Sequence, residues 1–164
     1  MADTTQITST ALERIATNGL QVLVQLANIY QALTNPPGIA STGAVTSSSA
    51  TAGMGYTTGA GGTVTQATSK STTVILNKVS GQITMDAANL TAGTEVSFTV
   101  TNSTVATADV VMACHASAGT AGAYAIEANS IAAGSFAITV SNVSAGALAE
   151  AIVLNFVVFK GATA

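Results

Sequence analysis

The sequence predicts a mainly β protein: an antiparallel β-sandwich that follows one N-terminal α-helix and a Gly/Ser/Thr-rich connector. Near the N-terminus, apolar residues recur at helical spacing. From Thr63 to Lys160, short alternating runs are separated by turn residues, with no helical pattern between them. These observations divide the chain into a helical segment (1–35), a connector (36–62) and a β-domain (63–164).

The helical segment has recognisable ends and a broad apolar surface. Thr10 and Glu13 match a capping box, and Pro36 and Pro37 end the helix. Between them, apolar residues follow alternating three- and four-residue steps, with one weak position at Gly19. Further apolar residues widen this surface beyond a two-stranded seam, which favours a bundle of three or more copies or a partner's groove. Packing against the chain's own β-domain is the alternative. The predicted interface residues on the helix are Leu12, Ile15, Val22, Leu26, Ile29 and Leu33.

The connector carries no charged residue and few large side chains. This composition is typical of a flexible or surface-laid linker. Its glycine-rich end, residues 58–62, lacks the Lys-Ser/Thr and the strand–helix context of a phosphate-binding loop. We therefore assign the connector no binding site.

Seven or eight short strands are predicted in the β-domain, with glycines in the turns between them. Strands without helices between them indicate a sandwich, either jelly-roll-like or immunoglobulin-like in topology. The predicted strands are residues 64–66, 72–76, 82–85, 95–101, 110–115, 124–129, 135–141 and 151–159.

The last predicted strand is apolar on both faces. Alternate residues from Ile152 to Val158 form one face, whereas Val153, Val157 and Phe159 lie on the other. A strand of this kind is covered on both sides. We predict a subunit interface at Val153, Val157 and Phe159, with the connector or the helix of the same chain as the alternative cover.

Charge excludes two classes of partner. Charged residues make up 7% of the chain, the net charge is −3, and the four basic residues are scattered. Nucleic acids and anionic membranes are bound by clustered Lys and Arg, so neither is an expected partner. A weakly charged surface suits a protein held permanently against copies of itself or against a larger lattice.

No motif predicts catalysis, a metal site or a cofactor. His115 follows Cys114, and adjacent strand residues point to opposite faces, so the two cannot form a nucleophile–base pair. We predict that Cys114 is buried on the face it shares with Val110 and Met112, and that His115 lies at the surface or a loop edge. The carboxylates are isolated in sequence.

Several sequence features bear on compartment and modification. A single cysteine cannot form an intrachain disulfide, and the N-terminus lacks the basic region of a secretory signal. The apolar stretch 20–33 is too short and too polar to span a bilayer. We expect a soluble cytoplasmic product and assign no role to the Asn-x-Ser/Thr tripeptides at Asn89, Asn102 and Asn142. A covalent bond between Lys78 or Lys160 and a buried asparagine stays an open alternative.

Two strings, GGTVTQATSKST and LNFVVFKGA, lie near the two ends of the segment from Thr58 to Ala162. Over this segment the chain resembles a domain of tailed-bacteriophage and prophage virion proteins. The resemblance implies a structural part of the particle and supplies no catalytic residues. The first 57 residues fall outside it, so their role rests on the helix pattern alone.

Together these features predict a non-enzymatic virion protein, synthesised in the host bacterial cytoplasm: a capsid decoration, cement or head-fibre protein. Its expected partners are copies of itself, preferably in a trimer rather than a dimer, and the major capsid protein or another virion protein. A tail-fibre or receptor-binding module is one alternative, although the low aromatic content disfavours carbohydrate recognition. A bacterial surface adhesin-like subunit is another, disfavoured by the missing secretory signal.

Overall fold

A computed structural model describes residues 16–26, 48, 50–51, 53 and 55–163. The chain divides into two compact units, Met1–Ala52 and Gly53–Ala164. In the first unit, residues 16–26 form a helix, which lies inside the predicted helical segment. No helix among the described residues is long and apolar enough to cross a membrane. The capping box and four of the predicted interface residues fall outside the described residues, namely Leu12, Ile15, Ile29 and Leu33.

The second unit is built from eight strands in two four-stranded sheets. The first sheet has the order β1-β3-β8-β5, and the second has the order β2-β4-β7-β6. Each strand overlaps one of the predicted segments. The strands are β1 (Gly61–Thr65), β2 (Val74–Ile75), β3 (Ser80–Thr84), β4 (Glu95–Thr101), β5 (Val110–Ser117), β6 (Tyr124–Ala132), β7 (Ser135–Asn142) and β8 (Val153–Phe159).

The prediction of a wholly antiparallel sandwich is wrong at one edge of each sheet. Strand β1 pairs with β3 in parallel, and β2 pairs with β4 in parallel. Parallel neighbours need a crossover connection. Here the crossover from β1 to β3 includes β2 in the other sheet, and the crossover from β2 to β4 includes β3. The remaining pairs are antiparallel.

The two sheets bury their facing sides against each other. Phe136 of β7 and Phe156 of β8 lie on different sheets, and their ring centroids are 5.3 Å apart. The predicted alternation is confirmed in β4, where Phe98 and Val100 are buried between exposed serine and threonine residues. It is also confirmed in β8, where Leu154, Phe156 and Val158 face the core. The arrangement is therefore sandwich-like.

A glycine pair lets one side chain fill the core beside the first sheet. Gly62 of β1 lies opposite Gly81 of β3. A Cβ atom on Gly81 would lie 2.7 Å from Leu76 Cδ2 and 3.0 Å from Phe156 Cε1. Leu76 thus occupies the space that side chains at these two positions would need.

Two buried asparagines organise the turns after β4 and β7. Asn102 accepts hydrogen bonds at Oδ1 from the amide and hydroxyl of Thr104, at 3.0 and 2.8 Å. Asn142 accepts the equivalent bonds from Ser144, at 3.0 and 2.7 Å. Both side chains are buried. The Asn-x-Ser/Thr pattern at these positions is therefore explained by turn formation.

Candidate functional site

The outer face of the first sheet carries apolar side chains on two neighbouring strands. The register of β5 and β8 places Val110 opposite Phe159, and Met112 opposite Val157. The residues between them face the core, so these four point outwards. Val110, Met112 and Phe159 are 58%, 59% and 51% exposed. Exposure of this extent by adjacent apolar residues marks a candidate interaction surface.

Tyr56, from the end of the predicted connector, lies against the same surface. Its hydroxyl group donates a hydrogen bond to the backbone oxygen of Val158. Tyr56, Val157, Phe159 and Ser80 line a shallow cleft. The connector therefore covers part of the outer face of β8, which was one of the two predicted covers. We use the name outer patch for Tyr56, Val110, Met112, Val157 and Phe159.

The two outer faces of the β-domain differ in charge. The outward residues of β1, β3, β5 and β8 include no charged side chain, and away from the outer patch they are mostly Ser, Thr, Gln and Asn. The outer face of the second sheet carries Glu95 and Glu127 among serines and threonines. On that face, Ser97 and Thr139 share a hydrogen bond of 2.7 Å. The uncharged outer face therefore belongs to the first sheet, whereas the second sheet combines two glutamates with one exposed apolar side chain, Ile75 of β2.

An ion pair and a hydrogen bond, which together we call the polar clamp, hold the segment that follows β8 against the residue that precedes β5. Lys160 Nζ contacts the buried carboxylate of Asp109, and the amide of Gly161 donates to Asp109 Oδ1 at 3.1 Å. The hydrogen bond from Lys160 is the main reason that the pKa of Asp109 lies below its ordinary value. Asp109 precedes Val110, and Lys160 follows Phe159. The ion pair between Lys160 and Asp109 thus holds β5 and β8 together next to the cross-strand pair Val110–Phe159.

The contacts of the lysines bear on the possible covalent bond to asparagine. Lys78 Nζ donates to the backbone oxygen of Gly59 at 3.0 Å, and Lys160 Nζ is engaged by Asp109. The amide group of Asn102 donates to the backbone oxygen of Lys78 at 2.7 Å. The hydrogen bonds of both ammonium groups therefore go to partners other than a buried asparagine.

A second polar cluster joins segments that are distant in sequence. The carboxylate of Glu150 accepts hydrogen bonds from the amide and hydroxyl of Thr120, at 2.9 and 2.7 Å, and from Tyr124 Oη at 2.8 Å. The bonds from Thr120 are the main reason that the pKa of Glu150 is lowered. Burial and the contact with Glu150 raise the pKa of Tyr124 to about 12. His115 packs edge-on against the Tyr124 ring, with centroids 5.6 Å apart.

Lys70 extends this cluster into the interior. It is buried, and its Nζ donates to the backbone oxygens of Asp86 and Glu150, at 2.7 and 2.6 Å. Burial lowers the pKa of Lys70, while the nearby Asp86 and Glu150 carboxylates oppose that shift. Gln66 Nε2 donates to the backbone oxygen of Lys70 at 3.0 Å. These hydrogen bonds connect loops that are distant in sequence, so the role of this cluster is structural.

Metal binding has no candidate site in the part of the chain that the structure describes. There, no three His, Cys, Asp or Glu side chains are grouped so that they could hold a metal ion. The chemistry-bearing side chains described above are engaged by backbone groups or by one another. The outer patch is therefore the candidate functional site.

The predicted interface residues lie at two places in the described chain. Val22 and Leu26 are on the helix, and each is more than half exposed. Val153, Val157 and Phe159 are on the outer face of β8, where the first two are half-buried and the third is exposed. Their role in an interface stays a prediction.

The prediction for Cys114 is half right. Cys114 shares the outer face of β5 with Val110 and Met112, as predicted, but it is exposed rather than buried. The reason is that β5 is an edge strand whose outer face is uncovered, so Val111 and Ala113 supply its core contacts. His115 points to the opposite face, where it bonds the backbone oxygen of Ala118 at 2.7 Å.

The sequence pattern did not predict that Val110, Met112 and Tyr56 belong to the exposed apolar surface. Val110 and Met112 alternate with Val111 and Ala113, which are equally apolar, so the pattern does not tell which face is buried. Tyr56 is the only aromatic residue of the connector, and that isolation is the signal that could have identified it. Its position on β8 depends on a contact across about a hundred residues, which no local pattern contains.

Comparisons of the chain with protein-family models, with curated proteins and with solved structures gave no match.

Proposed function

We propose that the protein is a non-enzymatic structural component of a bacteriophage virion: a capsid decoration, cement or head-fibre protein. It assembles as a homotrimer and stabilises or ornaments the particle, attached to the major capsid protein or to another virion protein. The assignment to a virion rests on the sequence resemblance from Thr58 to Ala162. The exposed apolar surface of the helix is the observation that carries the proposed self-assembly, and the outer patch adds a second exposed apolar surface.

The composition of the outer patch supports an interface. It combines two aromatic rings with a methionine and two valines, on a sheet face without charge. Interface centres are enriched in aromatic residues and methionine and are depleted in charge. A permanent contact with other subunits would remove this apolar surface from water at about 25 cal/mol per Å².

The helix supports assembly independently. Five apolar side chains within residues 16–26 are more than half exposed. A helix that is apolar on most sides is normally buried by other helices or by a groove. The breadth of this surface favours three copies over two. The exposed residues are Leu20, Val22, Leu23, Val24 and Leu26.

The strand path favours the immunoglobulin-like form of the sandwich over the jelly roll. Strands β4, β7 and β6 are neighbours in one sheet, and β5 and β8 are neighbours in the other. Immunoglobulin domains place strands B, E and D together and strands C and F together in the same way. Strand β3 takes the place of the last immunoglobulin strand, although it comes earlier in the chain.

The direct test of the virion assignment is peptide mass spectrometry of phage particles from an induced culture of the organism that encodes this chain. We expect the chain in purified particles, in a ratio to the major capsid protein that is constant between preparations. A chain that is abundant in the lysate but absent from the particles would contradict the proposal. Cryo-electron microscopy of the same particles distinguishes the head location from a tail fibre, because density at the tail tip supports the receptor-binding alternative.

A further inference from the structure

We propose that the loop between β5 and β6, residues 118–123, is a lid over Ile152 that opens when the Glu150 carboxylate takes up a proton, while both sheets stay folded. We use the name lid loop for these residues. The proposal concerns the β-domain alone and does not depend on the proposed assembly. It rests on how the lid loop is held, on the conformation of its backbone, and on which neighbouring groups change in acid.

The carboxylate of Glu150 ties the lid loop to the segment before β8. Residues 118–122 are all exposed. The amide and hydroxyl of Thr120 donate to the two carboxylate oxygens of Glu150, at 2.9 and 2.7 Å, and Tyr124 Oη donates to the same carboxylate at 2.8 Å. We call these three bonds the latch. Hydrogen bonds to an ionised acceptor are stronger than those to a neutral one, so the latch depends on the charge of Glu150.

The closed lid loop is strained and has room to move. Ala118 has a φ of 59°, a left-handed conformation in which the Cβ atom of an alanine crowds the backbone. A cleft of about 430 Å³, lined by His115, Tyr124 and residues of the lid loop, lies beside it. On the inner side, a Cβ atom on Gly119 would lie 2.6 Å from Cγ2 of the buried Ile152. The latch therefore holds a strained backbone directly against an apolar side chain.

The charged and titratable groups nearest to Glu150 keep their bonds in acid. Tyr124 donates to the carboxylate, and Lys70 Nζ donates to the backbone oxygen of Glu150 at 2.6 Å. Both are donors in their protonated forms, which a fall in pH preserves. Asp86, the other residue that Lys70 contacts, accepts a bond at its own carboxylate from the Ala88 amide, at 2.7 Å. Protonation of Asp86 therefore acts on a different turn.

His115 does not open the lid loop. It packs against the Tyr124 ring, and its Nε2 atom bonds the backbone oxygen of Ala118 at 2.7 Å. A backbone oxygen only accepts, so Nε2 carries a proton in this bond. The imidazole has that proton in one neutral tautomer and in its charged form, so the bond survives protonation of the ring. Among these groups, Glu150 is the one whose protonation weakens the hold on the lid loop.

The sign of the effect follows from the bonds of the latch. The bonds from Thr120 are the main reason that the pKa of Glu150 lies below its ordinary value of 4.5. The closed form is therefore favoured above that value and is lost as the pH falls through the lowered one. A protonated carboxyl group also turns one of its oxygens into a donor, so it no longer accepts at both oxygens without competition.

Hydrogen–deuterium exchange of the full-length chain tests the proposal, with each rate compared with that of an unfolded peptide at the same pH. The Thr120 amide is the direct reporter, because its acceptor is Glu150 Oε2. We expect protection of the lid loop to fall about fivefold or more between about pH 6.5 and about pH 3.5, while β4 and β7 keep theirs. Protection that does not change, or that is lost by the lid loop and the strands together, would overturn the proposal.

A pair of matched variants assigns the response to Glu150. Glu150→Gln removes the charge and keeps the size of the side chain, so its lid loop should show at about pH 6.5 the low protection that the wild type reaches in acid. It should lose no more at about pH 3.5. Glu127→Gln, at an exposed carboxylate on β6, should behave like the wild type at both pH values. A Glu150→Gln chain that still responds to acid would refute the role of Glu150.

Thr120→Val provides a second test that leaves Glu150 in place. The substitution removes the hydroxyl bond to Glu150 Oε1, and the side chain is exposed, so the fold is retained, which circular dichroism verifies. We expect protection of the lid loop at about pH 6.5 to lie between that of the wild type and that of the wild type in acid. Full wild-type protection in Thr120→Val would contradict the latch.

Discussion

Individual polar residues of the β-domain are fixed by backbone groups from distant parts of the chain. Lys70 bonds the backbone oxygens of Asp86 and Glu150, and Asn142 bonds that of Leu90 at 2.9 Å. Buried polar groups are costly unless they are paired, so each of these residues holds its loop in one place. Because the partners are backbone atoms, the sequence indicates which residues are able to bond but not where they do so.

Glu150 makes stability depend on pH in acid. Its pKa in the folded chain lies below the ordinary value of 4.5, and that of Asp109 lies below 3.8. The unfolded chain therefore takes up protons first as pH falls. The stabilisation from these carboxylates is complete above their ordinary pKa values and is lost as pH falls through the folded ones. We expect the midpoint of urea unfolding to be nearly constant from about pH 7 to about pH 5.5 and to fall below about pH 4.5.

The variant Glu150→Gln tests this assignment. It should unfold at lower urea than the wild type near neutral pH, and the difference should shrink as the pH falls, because the wild type loses the same contribution. Glu127→Gln, an exposed carboxylate on the second sheet, is the matched control and should follow the wild type at every pH. A difference between Glu150→Gln and the wild type that does not change with pH would refute the role of Glu150.

A substitution of Asn142 tests whether the buried asparagine stabilises the turn after β7. Its amide donates to the backbone oxygens of Leu90 and Gly146, at 2.9 and 2.8 Å, and its Oδ1 atom accepts two bonds from Ser144. Asn142→Ala removes these four bonds and leaves the Ser144 amide without its acceptor, whereas the oxygens of Leu90 and Gly146 keep bonds from the Leu148 amide and the Ser144 hydroxyl. It should lower the free energy of unfolding by about 1–3 kcal/mol. Asn89→Ala, in the same tripeptide pattern but exposed, should change it by less than about 0.5 kcal/mol. Equal effects in urea unfolding would contradict the explanation of the pattern.

Strands were predictable where alternation and turn residues agree. Strand β4 has both signals, and its predicted bounds, Glu95–Thr101, match those observed. Strand β2 is shorter than predicted, because the Thr72 hydroxyl accepts a bond from the Ser69 amide at 3.0 Å and draws that residue into a loop. Pairing direction was not predictable at the sheet edges, since it depends on crossovers that pass through the other sheet.

The β1–β3 pair provides a test at the scale of an element. A Cβ atom on Gly81 would lie 2.8 Å from the backbone oxygen of Gly62, and closer still to Leu76. Gly81→Ala should therefore lower the free energy of unfolding by about 1–3 kcal/mol through overpacking. Gly146→Ala is the control, because nothing lies within 4 Å of its added Cβ atom. Urea unfolding of both variants measures the difference, and a Gly81→Ala chain as stable as the wild type would refute the packing of Leu76.

The whole molecule presents surfaces that the sequence predicted in part. The apolar outer face of β8 was predicted, because alternation within one strand is local information. Its extension to Val110, Met112 and Tyr56 was not, because it depends on the register of β5 and on a bond across the domain. The asymmetry between an uncharged first sheet and a second sheet with two glutamates likewise emerges only from strand order. The surfaces available for binding therefore depend on which sheet faces remain exposed after folding, and strand order determines this.

Native mass of the full-length chain, measured by light scattering over a range of concentrations, tests self-assembly most directly. The wild type should have about three times the chain mass of 16.1 kDa. Leu26→Asp charges an exposed position of the helical seam and should give the mass of one chain, whereas Gln21→Asp on the same helix should keep the wild-type mass. A monomeric wild type, or an oligomer that Leu26→Asp leaves unchanged, would contradict assembly through the helix.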